Sequence, residues 1–445
     1  MRTPIFDFVK KYAKSDTSRF HMPGHKGKSF LGCEPLDITE IFGADTLYSA
    51  DGIIDESERY ATELFGTERT FYSAEGSTLG IRAMLALIIS DAPKNKRPTV
   101  LAARGAHKAF VYTAALLDFD IEWIFSKEEA HAASAAVSAD EVKAKLSSID
   151  KPAAVYLTSP DYLGNISPIK EISEVCREFG VPLLVDNAHG AYLAFLDENM
   201  HPIALGADMC CDSAHKTLPT LTGGAYLHIS KNAERYIPKA RGKLSLFAST
   251  SPSYLILASL DLCNKYLSDG YRERLAEAIA RVSYAKEAIR RRGLLVADTE
   301  PLKIVIMPNE FGYTGGELSE YLRLRGIEAE FSDGEYTVLM ATPENDAEDF
   351  SRLVFAIEAL ERRKSISQLQ APTKKRMPKR VMTVREAILA ESETVSVSGA
   401  VGRVCAAPTV ACPPAVPIAI SGEVIDERTA ELFIKYGIKK IEVIK

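Results

Sequence analysis

The sequence predicts an α/β protein: a large domain on a mostly parallel sheet, followed by a smaller α+β region. Three observations lead there. Between about residues 37 and 245, short apolar runs alternate with amphipathic stretches of helical length. One unit of that alternation is complete: "AAVYLTSP" (153–160), "SPIKEISEVCREFG" (167–180) and "VPLLVD" (181–186). From residue 300 to 362 the pattern becomes short strands mixed with two helices.

The elements follow in order. Residues 1–35 read as an arm, a short amphipathic helix and then the Gly/Pro/His-rich "RFHMPGHKGKSF". Residues 36–250 form the large domain. Within it, Ser167 is the expected N-cap of a helix with Pro168 at its first position and Gly180 just past its end. Ile169, Ile172, Val175, Cys176 and Phe179 fall on one face of that helix. Strand, helix and strand joined by short loops make a right-handed βαβ unit on a parallel sheet. The same alternation recurs at 99–125 and 207–229. A charged connecting helix and the small α+β domain occupy 251–365, a basic Pro-containing linker 366–380, and a C-terminal domain 381–445. That last domain carries the Pro-rich "APTVACPPAVPIAISGE" and ends in a helix and a strand.

Composition narrows the class. Hydrophobic residues at 46% and charged residues at 26% suit a globular chain with a large core. A net charge of −6 gives no field that favours nucleic acid or an acidic membrane surface. The seven cysteines (Cys33, Cys176, Cys210, Cys211, Cys263, Cys405, Cys412) show no CxxC spacing and no disulfide framework. Cys210 and Cys211 read as small buried hydrophobes. "MRTPIFDFVKKYAKSD" is charged throughout, unlike a signal peptide, and the longest apolar run, "AMLALII" (83–89), is too short for a bilayer. The expectation is a cytoplasmic protein.

The chemistry should lie where strands end, because open α/β sheets bind ligands outside the carboxyl ends of their strands. After "FYSA" comes "EGSTLGIRAMLALI", in which Gly76, Ser77 and Thr78 open a helix. Helix-start N–H groups and two hydroxyls there would hold a phosphate, though a Ser/Thr N-cap reads the same. After "VPLLV" comes Asp186, a carboxylate that is costly to bury without a partner. It is either an N-cap or the group that keeps a cofactor's ring nitrogen protonated. After "ADMCCDS" come His215 and Lys216. Alone, Lys216 is a loop lysine. With the other two features it completes the set expected for pyridoxal phosphate: a lysine that bonds the cofactor covalently, an Asp for its pyridinium nitrogen, and hydroxyls for its phosphate. His107, in "RGAHKAF", would either stack on the cofactor ring or cap a helix. A metal is the rival reading. However, His21 and His25 bracket Pro23 and Gly24, and no His/Glu or Cys cluster has ligand spacing, so no metal is expected.

Several longer stretches are more specific: "HMPGHKG" (21–27), "DITEIFGADTLYSADGII" (37–54), "ELFGTERTFYSAEGST" (63–78), "RGAHKAF" (104–110), "LTSPDYLGNISPI" (157–169), "PLLVDNAHGAYLAF" (182–195), "GADMCCDSAHKTLPTLTGGAYLHI" (206–229) and "CPPAVPIAISGE" (412–423). On these the chain resembles the fold-type I, pyridoxal-phosphate-dependent Orn/Lys/Arg decarboxylase family, in its short form without an N-terminal receiver-like domain. The resemblance implies a fold-type I large domain and decarboxylation of arginine, lysine or ornithine to agmatine, cadaverine or putrescine. It implies that Lys216 bonds the cofactor and Asp186 meets the ring nitrogen. Ser77, Thr78, Ser213 and His215 would surround the phosphate beside Gly76, His107 would lie over the ring, and His189 would flank the cofactor. It also implies a homodimer or larger even assembly with shared active sites. The chain departs from the family at Glu75, where relatives usually have Asn, at Asn187, where they have Glu, and at Cys412, where they have Tyr. Glu75, Asp45 and Glu423 are the acidic residues considered for the substrate's cationic end. Two other pyridoxal activities fit the shared core: an aminotransferase, and a cysteine desulfurase-like lyase using Cys405 or Cys412. A non-catalytic binding protein of the same fold is the third alternative.

Overall fold

The computed structural model describes residues 1–93, 95–126, 134, 136–366, 379–410 and 417–445. The expected linker therefore lies almost wholly outside the described residues, as does Cys412. In chain order the first elements are α1 (Pro4–Ala13), α2 (Ile53–Phe65), β1 (Arg69–Ser73), α3 (Gly76–Asp91), β2 (Thr99–Ala103), α4 (Lys108–Leu117), β3 (Asp120–Ile124) and α5 (Ala139–Leu146). Then come β4 (Ala154–Thr158), α6 (Ile169–Glu178), β5 (Leu183–Asp186), β6 (Met209–Asp212), α7 (Ala214–Thr217), β7 (Ala225–Ile229), α8 (Ile237–Ser245), α9 (Tyr254–Leu267) and α10 (Tyr271–Arg292).

The chain divides into two compact units. The first comprises Met1–Pro93, Ala153–Leu157 and Ile169–Glu273. Its strands run in the order β1-β7-β6-β5-β4. β5 and β6 are parallel, with Asp186 opposite Cys211, whereas β7 is antiparallel to both β1 and β6. Every residue of β5, β6 and β7 is buried, as expected of strands covered on both faces. α3 is apolar on nearly all sides from Leu79 to Ile88 and packs on β6 and β7. The contact is close: a Cβ added at Gly80 would stand 2.9 Å from the Cβ of Cys211. Only glycine lets the helix backbone lie against the strand there.

The helix of the N-terminal arm packs within the first unit. α1 buries Ile5 and Val9 and packs with α2 and α9. Asp261 of α9 accepts the N–H of Phe6 at 2.9 Å and the hydroxyl of Ser57 at 2.6 Å. Asn264, one turn on, donates to the Tyr72 hydroxyl at 2.7 Å. These contacts hold α9 in the first unit, which extends to Glu273 rather than ending near residue 250.

α6 differs from expectation at one end. It begins at Ile169, and the hydroxyl of Ser167 accepts the N–H of Val137 at 3.2 Å instead of capping the helix. At the other end Gly180 takes the expected left-handed conformation (φ +62), and the Val181 N–H returns to the Cys176 carbonyl at 2.9 Å.

The second unit comprises Lys94–Pro152, Thr158–Pro168 and Arg274–Lys445. It holds the parallel pair β2–β3 and an antiparallel four-stranded sheet in the spatial order 331–332, 337–340, 303–307, 295–296. Helices Gly315–Arg323 and Ala347–Glu358 accompany that sheet, giving the expected small α+β arrangement. Thr314 and Glu317 cap the first reciprocally, and Asp346 caps the second. Near the C-terminus, Ser392–Ser396 pairs antiparallel with Lys440–Ile444 over a small core that includes Ala400, Cys405, Ile425, Phe433 and Val443. Among the described residues, no helix is long and apolar enough to cross a membrane.

Candidate active site

β5 and β6 end side by side, and each ends in a buried aspartate, Asp186 and Asp212. Beyond β6 the chain makes the single helical turn α7, which presents Lys216; its Nζ lies 3.1 Å from Nε2 of His189. His189 itself sits in the turn that follows Asp186, closed by the Gly190 N–H on the Asn187 carbonyl at 2.8 Å. The Lys216 N–H bonds the Ser213 carbonyl at 3.0 Å, and the Ser213 hydroxyl donates to that of Ser77 at 2.7 Å. The turn bearing the lysine is thereby tied to the start of α3.

The start of α3 shows where Gly76, Ser77 and Thr78 lie. Glu75 occupies the N-cap position without a side-chain cap, so Ser77 and Thr78 lie inside the first turn and are not N-caps. Gly76 has φ +70, open to glycine alone at low cost. First-turn N–H groups have no carbonyl within their own helix, and with the two hydroxyls they can cradle an anion. The Gly223–Gly224 turn braces both sides. Gly223 receives the Gly76 N–H at 2.7 Å, while Gly224 receives the backbone N–H of His215 at 3.2 Å and its ring Nδ1 at 3.0 Å. A carbonyl only accepts, so Nδ1 of His215 carries the hydrogen. Burial lowers the His215 pKa, favouring the neutral ring.

Asp186 has, among the described residues, three weak donors: Tyr156 Oη at 3.2 Å, the Ala188 N–H at 3.3 Å and the Cys211 thiol at 3.9 Å. Burial raises its pKa, opposed by the charge of Lys216. Asp212 is handled differently. It accepts Asn187 Nδ2 at 2.7 Å, His201 Nε2 at 3.1 Å and His228 Nε2 at 3.2 Å. Burial works against its charge, but the two imidazoles hold its pKa below the usual carboxylate range. Donor atoms of His201, Cys210 and Asp212 lie within 4.8 Å of one another, a grouping with no ligand-like spacing in the sequence. Burial pushes the Cys210 and Cys211 thiols well up, which keeps them protonated.

The structure thus brings together Gly76, Ser77, Ser213, His215, Lys216, Asp186 and His189, with Thr78 on the same helical turn as Ser77. His107 lies in the second unit as the N-cap of α4, its Nδ1 accepting the Ala109 N–H at 3.1 Å. Asp45 takes a left-handed backbone (φ +69) and binds four backbone N–H groups between residues 46 and 54, which organises its own loop. Glu423, in the second unit, is buried against Arg104 at 2.9 Å. Glu75 is exposed and accepts the Ser249 N–H at 2.7 Å. Cys405 is buried and its thiol donates to the Ala407 carbonyl at 2.9 Å, no arrangement for a mobile nucleophile. Asn187 stood out only as a departure from the family; Tyr156, Asp212 and the Gly223–Gly224 turn are site components that sequence reasoning missed. Of these, only the glycine pair had a visible mark.

Residues 3–309 match the family model for the major domain of Orn/Lys/Arg decarboxylases, and residues 366–439 match that for their C-terminal domain. The chain belongs to the Orn/Lys/Arg decarboxylase family. Arginine decarboxylase of Bacillus subtilis is 28% identical over 97% of this chain and 93% of its own length. That of Halalkalibacterium halodurans is 29% identical over 96% and 91%. Among solved structures, a lysine decarboxylase of Francisella novicida shares the fold with a TM-score of 0.82 at 17% identity, covering 100% of this chain and 81% of that one. The constitutive lysine decarboxylase of E. coli gives 0.77 at 19%, covering 100% and 82%. This family member is a decarboxylase of basic amino acids that uses pyridoxal 5′-phosphate. Its residues fit that cofactor: an amine on α7, an anion cradle at the start of α3, and a buried carboxylate short of strong donors.

Proposed function

We propose that this chain decarboxylates arginine, releasing CO₂ and agmatine, with lysine and ornithine as the competing substrates. What supports the chemistry is one juxtaposition: the buried, weakly solvated Asp186 beside the Lys216 amine, on adjoining strand ends. The choice of arginine rests on curated relatives that are named arginine decarboxylase and match nearly the whole chain.

When bound, the cofactor supplies an electron sink for the breaking Cα–carboxylate bond. The protein's residues do the remainder. Ser77, Thr78 and the first-turn N–H groups of α3 hold the phosphate, with Ser213 and His215 completing the cradle. Asp186 holds a proton on the ring nitrogen, and its sparse hydrogen bonding leaves the charge available for that cation. Lys216 bonds the cofactor through Nζ. His189, 3.1 Å from Nζ, can take or return a proton as the lysine engages and disengages. The family resemblance assigns His107 to the face of the ring.

The enzyme works as a homodimer in the cytoplasm, feeding polyamine synthesis. Phe20 (97% exposed), Phe30 (79%) and Leu31 (89%) are uncovered apolar side chains close together in sequence, which a second copy would cover. The test is to incubate the purified, cofactor-loaded protein with arginine, lysine and ornithine separately and measure CO₂ and amine. Faster turnover of lysine or ornithine overturns the substrate; a monomer by light scattering overturns the assembly.

A further inference from the structure

We infer that Asn187, Asp212, His201 and His228 form a buried clamp that sets the position of Lys216 relative to Asp186; this rests on the reading of those two residues given above. Asn187 directly follows Asp186, and Asp212 lies four residues before Lys216. The 2.7 Å bond from Asn187 Nδ2 to Asp212 Oδ1 therefore joins the two chain segments that carry the chemistry. The Asn187 N–H adds a backbone bond to the Cys211 carbonyl at 2.9 Å.

The clamp reaches further across the sheet. A carboxylate only accepts, so His201 and His228 both present Nε2–H to Asp212 Oδ2. Nδ1 of His228 is then an acceptor, and the Thr70 hydroxyl donates to it at 2.8 Å. Thr70 and His228 are paired residues of β1 and β7. Side chains thus link β1, β7, β6 and the end of β5 in one chain of hydrogen bonds, and Thr70, Asn187, His201, Asp212 and His228 are all completely buried.

Stability alone does not call for such a set, since well-packed apolar residues in place of a buried ionic cluster are often as stable or more so. What directional bonds of 2.7–3.2 Å supply is a fixed spacing between two strand ends. Catalysis is sensitive to that spacing: a misplacement of about 1 Å can cost about a hundredfold in rate. Asn187, Asp212, His201 and His228 are positioning residues in this sense. None of their hydrogen bonds described above is to a residue assigned to the cofactor.

The charge pattern gives the test. In N187D two carboxylates face each other and the clamp opens. In the N187D/D212N double variant the amide and carboxylate exchange places, the amide oxygen now at position 212 still accepts both imidazoles, and the clamp closes again. Two readouts apply. One is the rate at which Lys216 of cofactor-stripped protein captures added pyridoxal phosphate, followed by visible absorbance. The other is kcat and KM on whichever basic amino acid the wild type consumes. N187D should slow capture and lower kcat by about tenfold or more with KM little changed, and the double variant should recover to within about threefold. The capture rate tests the clamp even if none of the three amino acids is consumed, so the two readings fail separately. The inference is overturned if N187D, folded by circular dichroism, keeps wild-type capture and kcat, or if the folded double variant does not recover. It is also overturned if the purified protein carries a stoichiometric transition metal that D212N loses, because the cluster would then be a metal centre.

Discussion

Asp186 and Asp212 end neighbouring strands, are both buried, and are treated in opposite ways. Asp212 is saturated by three N–H donors from within the protein and is held ionised. Asp186 receives longer and weaker bonds, and burial raises its proton affinity. On the proposed function, the difference separates a carboxylate that holds structure from one left available to a cationic ring nitrogen. A fold that satisfied both would have no use for the ring nitrogen; a fold that starved both would carry two uncompensated buried charges.

The comparison can be broken outright at the lysine. Lys216→Ala should remove turnover and the lysine-linked visible absorbance together, since no other amine takes its place; any variant that still turns over at the wild-type rate ends the assignment. Asp186→Asn comes next. Its kcat should fall roughly 100- to 10,000-fold, while the cofactor-free protein becomes no less stable, because a costly buried charge is gone. Asp212→Ala should do the reverse to stability: three buried N–H donors lose their acceptor, costing about 3 kcal/mol in urea unfolding of the cofactor-free protein. If Asp186→Asn and Asp212→Ala shift the midpoint in the same direction by similar amounts, the two carboxylates are not handled differently.

Asp261 offers a third, intermediate case. Burial raises its pKa from 3.8 to about 6, although Ser57 and the Phe6 N–H both donate to it. The folded state therefore binds the proton more tightly than the unfolded chain. The resulting stabilisation is fully present below about pH 4 and is lost as pH rises through about 6. Relative to Asp261→Asn, the wild type should lose about 2–3 kcal/mol between those limits. A difference that stays flat across pH 4–7 would show that Asp261 is ionised throughout. The smallest effect is expected at the cradle: Ser77→Ala should weaken cofactor binding by about tenfold, read from equilibrium titration of the stripped protein.

Much of this site was legible before any coordinates. Lys216, Asp186 and Gly76–Thr78 each sit where an apolar run stops, and both a strand end and a tight turn leave short-range marks in a sequence. The alternation of apolar runs gave the fold class for the same reason. Side-chain partnership leaves no such mark. Tyr156 reaches Asp186 from the middle of an apolar strand, and His201 and His228 reach Asp212 from either side of it in the chain. Nothing in their spacing announces the meeting. Ser77 and Thr78 were ambiguous because a cap and a first-turn position differ by one residue of backbone, which only the fold decides. The placement of α9 was hidden likewise, since nothing in the sequence around Asp261 and Asn264 announces their meeting with Phe6 and Ser57.

The contact between Gly80 and Cys211 also governs how this site can change over generations. A methyl group gained at position 80 collides with the side chain at 211, whose thiol in turn points at Asp186. Position 211 would have to shrink to glycine before position 80 could grow, and that first step strips a contact from the carboxylate. Positions 80 and 211 can therefore change only together, which couples the backbone of α3 to a contact on Asp186.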